Sequence, residues 1–190
     1  EIHANREELF KAAYPHGLTP DAVEYVKLDM DELCCINYTS GSTGNPKGVM
    51  LTVRNISSNV EMIPEHFPYR RGDNYLSVLP FAHIFGLLYD MIACMCTGMH
   101  LTVLGMPPAP SILKNALQQV KPHVIMMVPL VLSKMAEYSI GEFVQSRTGK
   151  ARLEDHTNHP EFCNALRTIF LSYLGGCCEV IVTGGAAIPD

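Results

Sequence analysis

The sequence predicts an α/β protein whose mostly parallel sheet is flanked by helices. Short apolar runs of strand length alternate with stretches whose apolar residues recur at helical spacing. One run, His123–Val128, is apolar almost throughout, as a strand covered on both faces must be. Two glycine-rich segments, after Thr39 and after Thr183, directly follow strand-like runs. In parallel sheets, ligands bind beyond those carboxyl ends.

The elements follow in order. Cys34–Thr39 reads as a strand ending in a Gly-rich loop, and Gly48–Thr52 as a second strand. Ile56, Val60 and Ile63 mark a helix. Tyr75–Leu79 is strand-like and stops at Pro80. Ile84–Cys96 reads as a buried helix. It is too short to span a membrane, with Asp90 in its middle. His100–Leu104 is the next strand. Ser111 is a helix N-cap candidate ahead of the apolar face of Ile112, Leu113, Ala116, Leu117 and Val120. After His123–Val128, Pro129 suits the first turn of another helix. Residues 141–158 are polar and read as a surface loop. Pro160 opens a helix bearing Phe162, Leu166, Ile169, Phe170 and Tyr173. Glu179–Thr183 is the last strand, and Gly184-Gly185 follow at once.

The 190 residues suffice for one domain or a large part of a bigger one, with no internal repeat or low-complexity tract. With 47% hydrophobic and 17% charged residues, the chain is too apolar for disorder. A net charge of -5 gives no electrostatic reason to bind nucleic acid or an anionic membrane. The seven cysteines show neither a disulfide framework nor spaced zinc ligands, which predicts a reducing, cytoplasmic setting. The adjacent pairs Cys34-Cys35 and Cys177-Cys178 read as buried apolar residues within strands, and Met126 and Met127 as core. His156 and His159 lack the companions a metal site needs and read as loop residues. No opening stretch reads as a signal or transit peptide, and without a start methionine Glu1 is not expected to be the natural N-terminus.

Tyr38–Gly48 carries the most chemistry. Its glycines let backbone approach a ligand closely, and Thr39, Ser40, Ser42 and Thr43 offer four hydroxyls. Pro46 stiffens the exit and Lys47 supplies a mobile cation. These are the parts that hold a polyphosphate. The order is not that of a Walker A loop, because Lys47 leads into Gly48 and a strand rather than a helix.

Thr39–Gly48 resembles the phosphate-loop signature of the adenylate-forming (AMP-binding) superfamily, which includes acyl-CoA synthetases, peptide-synthetase adenylation domains and luciferases. Leu79–Gly86 is similar to that family's segment with an aromatic and a histidine beside the acyl pocket. Thr183–Ile188 resembles the Gly-Gly-Ala stretch against the adenine, and Lys121–Leu130 a passage of fatty acyl-CoA synthetases. The resemblance covers roughly residues 31–188. Val53 departs from it, since relatives often carry histidine there.

The resemblance implies ATP-dependent activation of a carboxylic, fatty acid to an acyl-adenylate, followed by transfer to coenzyme A. In this reading Ser40, Gly41, Ser42, Thr43, Gly44 and Lys47 hold the β- and γ-phosphates, and Thr39 helps place Mg²⁺. His83 orients the acid near the α-phosphate, so Lys47 and His83 are the catalytic candidates. Gly184, Gly185 and Ala186 wall the adenine slot. Phe81 and Phe85 line the acyl pocket or belong to the core.

The resemblance also implies that residues 1–190 are one piece of the large AMP-binding domain. The magnesium-binding glutamate, the ribose-gripping aspartate and the C-terminal lid domain with its lysine lie elsewhere, so these residues alone are expected to be inactive. Nothing here reads as a membrane anchor. Two alternatives stand: an adenylation domain loading an amino or aryl acid onto a carrier protein, and a non-catalytic nucleotide-binding module.

Overall fold

The structure, a computed structural model, describes residues 5–23, 25–39, 44–154 and 159–187. Helix α1 (Arg6–Ala13) is followed by a hairpin of β1 (Leu33–Thr39) and β2 (Lys47–Thr52). Then come α2 (Val53–His66), β3 (Asn74–Ser77) and a π-helical stretch (Gly86–Ile92) running on into α3 (Ala93–Thr97). The rest is β4 (His100–Val103), α4 (Pro110–Val120), β5 (Val124–Met127), α5 (Pro129–Gln145), α6 (Arg147–Glu154), α7 (His159–Tyr173) and β6 (Val180–Thr183).

Strands β3 to β6 form one parallel sheet in the order β4-β3-β5-β6. Parallel neighbours cannot be joined by tight turns, so helices cross between them and cover both faces. Side chains of β5 alternate between two cores. Ile125 and Met127 join Leu76, Leu113, Leu117, Met135 and Leu174. Val124 and Met126 join Ile63, Tyr69, Tyr75, Ala93 and Cys94 on the opposite face. The core assignment of Met126 and Met127 holds, since both are fully buried.

β1 and β2 form a separate antiparallel pair, with Asn37 opposite Val49 and Thr39 opposite Lys47. Helix α2 begins directly after it. Thr52 Oγ1 accepts from the Asn55 backbone N–H (3.3 Å), while Asn55 Oδ1 accepts from the Thr52 N–H (3.0 Å), closing a capping box. Val53 is the first residue of that helix, and its N–H donates to the Glu32 carbonyl (3.0 Å).

Three expectations need correction. Residues 141–158 are not a loop as far as they are described. α5 runs to Gln145, and α6 follows with Ser146 Oγ accepting from the Gly149 N–H (3.0 Å) as its cap. Polar residues such as Glu142, Gln145, Arg147 and Lys150 form helix readily, so polarity there marks a helix surface. Ser111 is not the N-cap of α4. The helix starts at Pro110, whose fixed φ suits a first turn, with Ala109 in the cap position. Cys177-Cys178 lie in the turn before β6, where the Glu179 N–H already donates to His123 O (2.8 Å). Only Cys178 of the two pairs is buried, while Cys34 and Cys177 are exposed.

A polar node lies under the π-helical stretch. Asp90 is 0% exposed, and its carboxylate accepts from Tyr75 Oη (2.7 Å), Ser77 Oγ (2.7 Å) and the Leu79 N–H (3.4 Å). Burial pushes the carboxyl up to about 6, and the Ser77 and Tyr75 hydrogen bonds partly counter that rise. Beside it, Gly86 packs on the Pro80 carbonyl, where a Cβ would come within 2.6 Å of the oxygen.

Gly86→Ala should therefore destabilise the chain by about 2–3 kcal/mol, read as a lower urea midpoint. Asp90 also sets a pH dependence. Its folded value lies above the ordinary 3.8, so the folded state holds the proton more tightly. That contribution is complete below about pH 4 and is lost as pH rises through about 6. Between those limits, wild type should lose about 3 kcal/mol relative to Asp90→Asn, measured by urea unfolding of both proteins at several pH values. Asp31 and Glu179, held below their ordinary values by Arg54 and Arg70, tilt both proteins equally and cancel in the difference.

Candidate functional site

The carboxyl ends of β3 and β6 lie at one edge of the sheet, because the strands are parallel. The Pro80–Phe85 turn leaves β3 there. The His83 N–H donates to the Pro80 carbonyl (3.0 Å), and the Leu87 N–H donates to the His83 carbonyl (3.0 Å). The Phe85 N–H donates to His83 Nδ1 (3.2 Å), which holds the neutral ring in the tautomer with its proton on Nε2. His83 is exposed, and Nε2 has no partner among the described residues. The site therefore presents an N–H donor next to the strand end, and His83 is not a buried histidine satisfied within the core.

The hairpin is tied to this turn by one long-range bond. Asn37 Nδ2 donates to the Ala82 carbonyl (3.0 Å). Side chains two apart on a strand share a face, and so do directly opposed residues across an antiparallel pair. Asn37, Thr39 and Lys47 therefore lie on the hairpin face that meets the Ala82–His83 turn. Lys47 is the first residue of β2 and is exposed. Gly44 has a φ of 84°, in the left-handed region. Ser40, Gly41, Ser42 and Thr43 lie outside the described residues.

The third segment comes from β6. A Cβ at Gly184 would lie 3.5 Å from the Phe85 ring, so the ring seats against that backbone. Gly185 has a φ of 82°, where side-chain-bearing residues are strained. Gly185 and Ala186 are exposed, as a wall for a ligand must be. Just before them, Thr183 Oγ1 is buried without a hydrogen-bond partner among the described residues. An orphaned hydroxyl at a strand end fits a site whose polar ligand completes it.

Phe85 is half-buried, meets Tyr89 at a tilt (5.2 Å between centroids) and packs on the core, while also lining a cavity of about 480 Å³ with Leu51, Ile56, Ile84 and Leu88. Phe81 lines a different cavity, also of about 480 Å³, beyond the ends of β3 and β4, with Val78, Leu79, Val103, Met106 and Pro107.

Among the described residues, no three His, Cys, Asp or Glu side chains stand together as a metal site. Thr39 is a lone hydroxyl on an exposed strand end, so these residues do not by themselves form a magnesium site. His156 lies outside the described residues. No helix among them is long and apolar enough to cross a membrane.

Three contributors escaped the sequence reading. Asn37 is a polar residue inside a strand otherwise dense in apolar and cysteine residues. Thr183 is the last residue of β6. Asp90 is a single acid in a 16-residue apolar stretch, which was the available signal.

Residues 3–190 match the family described as AMP-binding enzyme. The chloroplastic long-chain-fatty-acid–[acyl-carrier-protein] ligase AEE15 of Arabidopsis thaliana is 37% identical over 106 residues, covering 55% of this chain and 14% of that protein. The mitochondrial malonate–CoA ligase ACSF3 of Mus musculus is 32% identical over 161 residues, covering 84% of this chain and 24% of that protein. The chain thus spans a quarter or less of the length of these relatives.

A solved malonyl-CoA ligase, in a ternary product complex with methylmalonyl-CoA and AMP, superposes with a TM-score of 0.62 at 20% identity. That match covers 88% of this chain and 30% of the other. The inhibitor-bound N-terminal domain of FACL13 from Mycobacterium tuberculosis gives 0.61 at 23% identity, over 88% and 34%. These likenesses speak to the fold. The family match runs over nearly every residue: the chain belongs to the AMP-binding enzyme family.

Proposed function

We propose that this chain supplies the phosphate loop and part of the acyl and adenine site of an AMP-forming acid–thiol ligase. In that reaction a carboxylate attacks the α-phosphorus of ATP and displaces pyrophosphate, giving an acyl-adenylate. The thiol of coenzyme A then takes the acyl group and releases AMP. The reading rests on one observation: the hairpin bonds to the Ala82–His83 turn, whose Phe85 seats against Gly184. Segments distant in sequence meet where a parallel sheet binds ligands.

Each group then has a task. The loop from Thr39 to Gly44, with its backbone N–H groups, cradles the β- and γ-phosphates. Lys47 neutralises charge on the departing pyrophosphate. His83 offers its Nε2–H to the acid or to an α-phosphate oxygen and orients the attack. Gly184, Gly185 and Ala186 lie against the adenine, and Thr183 Oγ1 gains a partner there. Mg²⁺ would accompany the nucleotide and lower the charge on its phosphates, with Thr39 helping to place it.

The cavity beside Phe81 is lined by apolar side chains, and its only hydroxyl, on Ser77, is already spent on Asp90. That lining favours a hydrocarbon tail over a second carboxylate, which supports a fatty acid as substrate. A carrier-protein thiol is the second reading for the acceptor, because one relative is named an acyl-carrier-protein ligase. The cytoplasm is the proposed setting. The two relatives above are named chloroplastic and mitochondrial, and those addresses are theirs.

Acid-dependent ATP–pyrophosphate exchange tests the reading, on this chain and on the full reading frame that contains it. Long-chain acids should support exchange in the full protein, and Lys47→Ala should lower it by about 10²-fold. Residues 1–190 alone should be silent. A folded full-length protein that binds ATP yet exchanges with no acid would leave only a nucleotide-binding module.

A further inference from the structure

We propose that Asp90 is a positioning residue, holding the end of β3 and the Leu79–Pro80 turn against the π-helical stretch so that His83 keeps its place. This rests on the reaction proposed above. The donors to Asp90 come from one continuous piece of chain: Tyr75 and Ser77 of β3, and the backbone of Val78 and Leu79 just past it. The next residue, Pro80, lends its carbonyl to the His83 N–H and backs onto Gly86 at the start of the stretch that carries Asp90. The His83 carbonyl in turn accepts from Leu87 in that stretch. The turn bearing His83 is thus closed at both ends on the element that Asp90 anchors. π-Helical insertions are frequent at functional sites.

No cation pairs with this carboxylate among the described residues. The titratable groups facing it are the phenols of Tyr69 and Tyr75 and the thiol of Cys94, and the rest of the surrounding cluster is apolar. Burial drives both phenols upward and the thiol to about 12, so they stay uncharged in the neutral range. Hydrogen bonds alone hold the anion. Protonation removes acceptor capacity, and the 3.4 Å bond from Leu79 is weak at that length. Losing it frees the backbone next to Pro80 and lets His83 drift.

The test is exchange rate against pH in the full-length protein, for wild type, Ser77→Ala, Tyr75→Phe and Asp90→Asn. Wild type should show an acid limb near pH 6. Ser77→Ala and Tyr75→Phe each remove a donor that favours the anion, so their limbs should move to higher pH. Asp90→Asn should lose the limb and lower kcat by about tenfold, while KM for ATP stays within about twofold, since the phosphate loop is untouched. A limb that survives in Asp90→Asn belongs to another group, a histidine being the ordinary case, and overturns the proposal. So does an activity loss in Asp90→Asn that only follows the folded fraction.

Should wild type show no exchange with any acid, the reaction fails and amide hydrogen exchange decides the positioning role. Leu79 and His83–Phe85 should then exchange at least about tenfold faster in Asp90→Asn, measured at a pH where the two proteins are equally stable. Equal rates would sink it.

Discussion

Strand β5 is covered on both faces, and that burial organises the rest of the molecule. Its four residues alternate between two cores, and each core needs helices of its own. Parallel pairing with β3 and β6 forbids short turns, so every connection is a helical crossover. The same pairing sends all carboxyl ends to one edge. The Pro80–Phe85 turn and the Gly184-Gly185 step therefore become neighbours without being near in sequence. The Phe85 ring packs against the Gly184 backbone just past β6.

The hairpin obeys different physics. β1 and β2 share no ladder with the main sheet among the described residues, and the outer face of the pair exposes Ile36, Tyr38 and Met50. Hydrogen bonds at both ends join it to the body. The Asn37 bond to Ala82 holds one end, and the backbone bonds from Val53 to Glu32 and Arg54 to Met30 hold the other. The hairpin and the turn bearing His83 thus belong to separate units. Relative placement then rests on few hydrogen bonds, each worth about 1 kcal/mol.

Charge is distributed to match. The bidentate Arg70–Glu179 pair (3.1 and 2.7 Å) precedes β3 and β6, at the amino ends of the strands. It is exposed and keeps both charges at the pole opposite the candidate site. At the site edge, Lys47 stands exposed on the hairpin. The one buried charge near that edge, Asp90, is enclosed by hydroxyls and an amide rather than by a cation.

Much of this was legible in the chain itself. Strand runs, helical spacing and proline punctuation placed each strand of the sheet to within two residues, because covalent geometry ties side-chain direction to local period. Residues 141–154 misled, since polarity alone does not separate a loop from a helix surface. The residue order Thr39–Gly48 pointed to a family by its chemistry, and the match over residues 3–190 agreed on that family. No local pattern, however, says which strands pair. The separation of the hairpin from the sheet, the bond from Asn37 to Ala82 and the seat of Phe85 on Gly184 all join residues 45 or more positions apart. Asp90 looked like a flaw in an apolar helix until packing set Tyr75 and Ser77 against it. Sequence determined which groups were available and on which kind of element. Only the tertiary structure decided which of them meet, because meeting is settled by burying shared apolar surface and leaving no buried polar group unpaired.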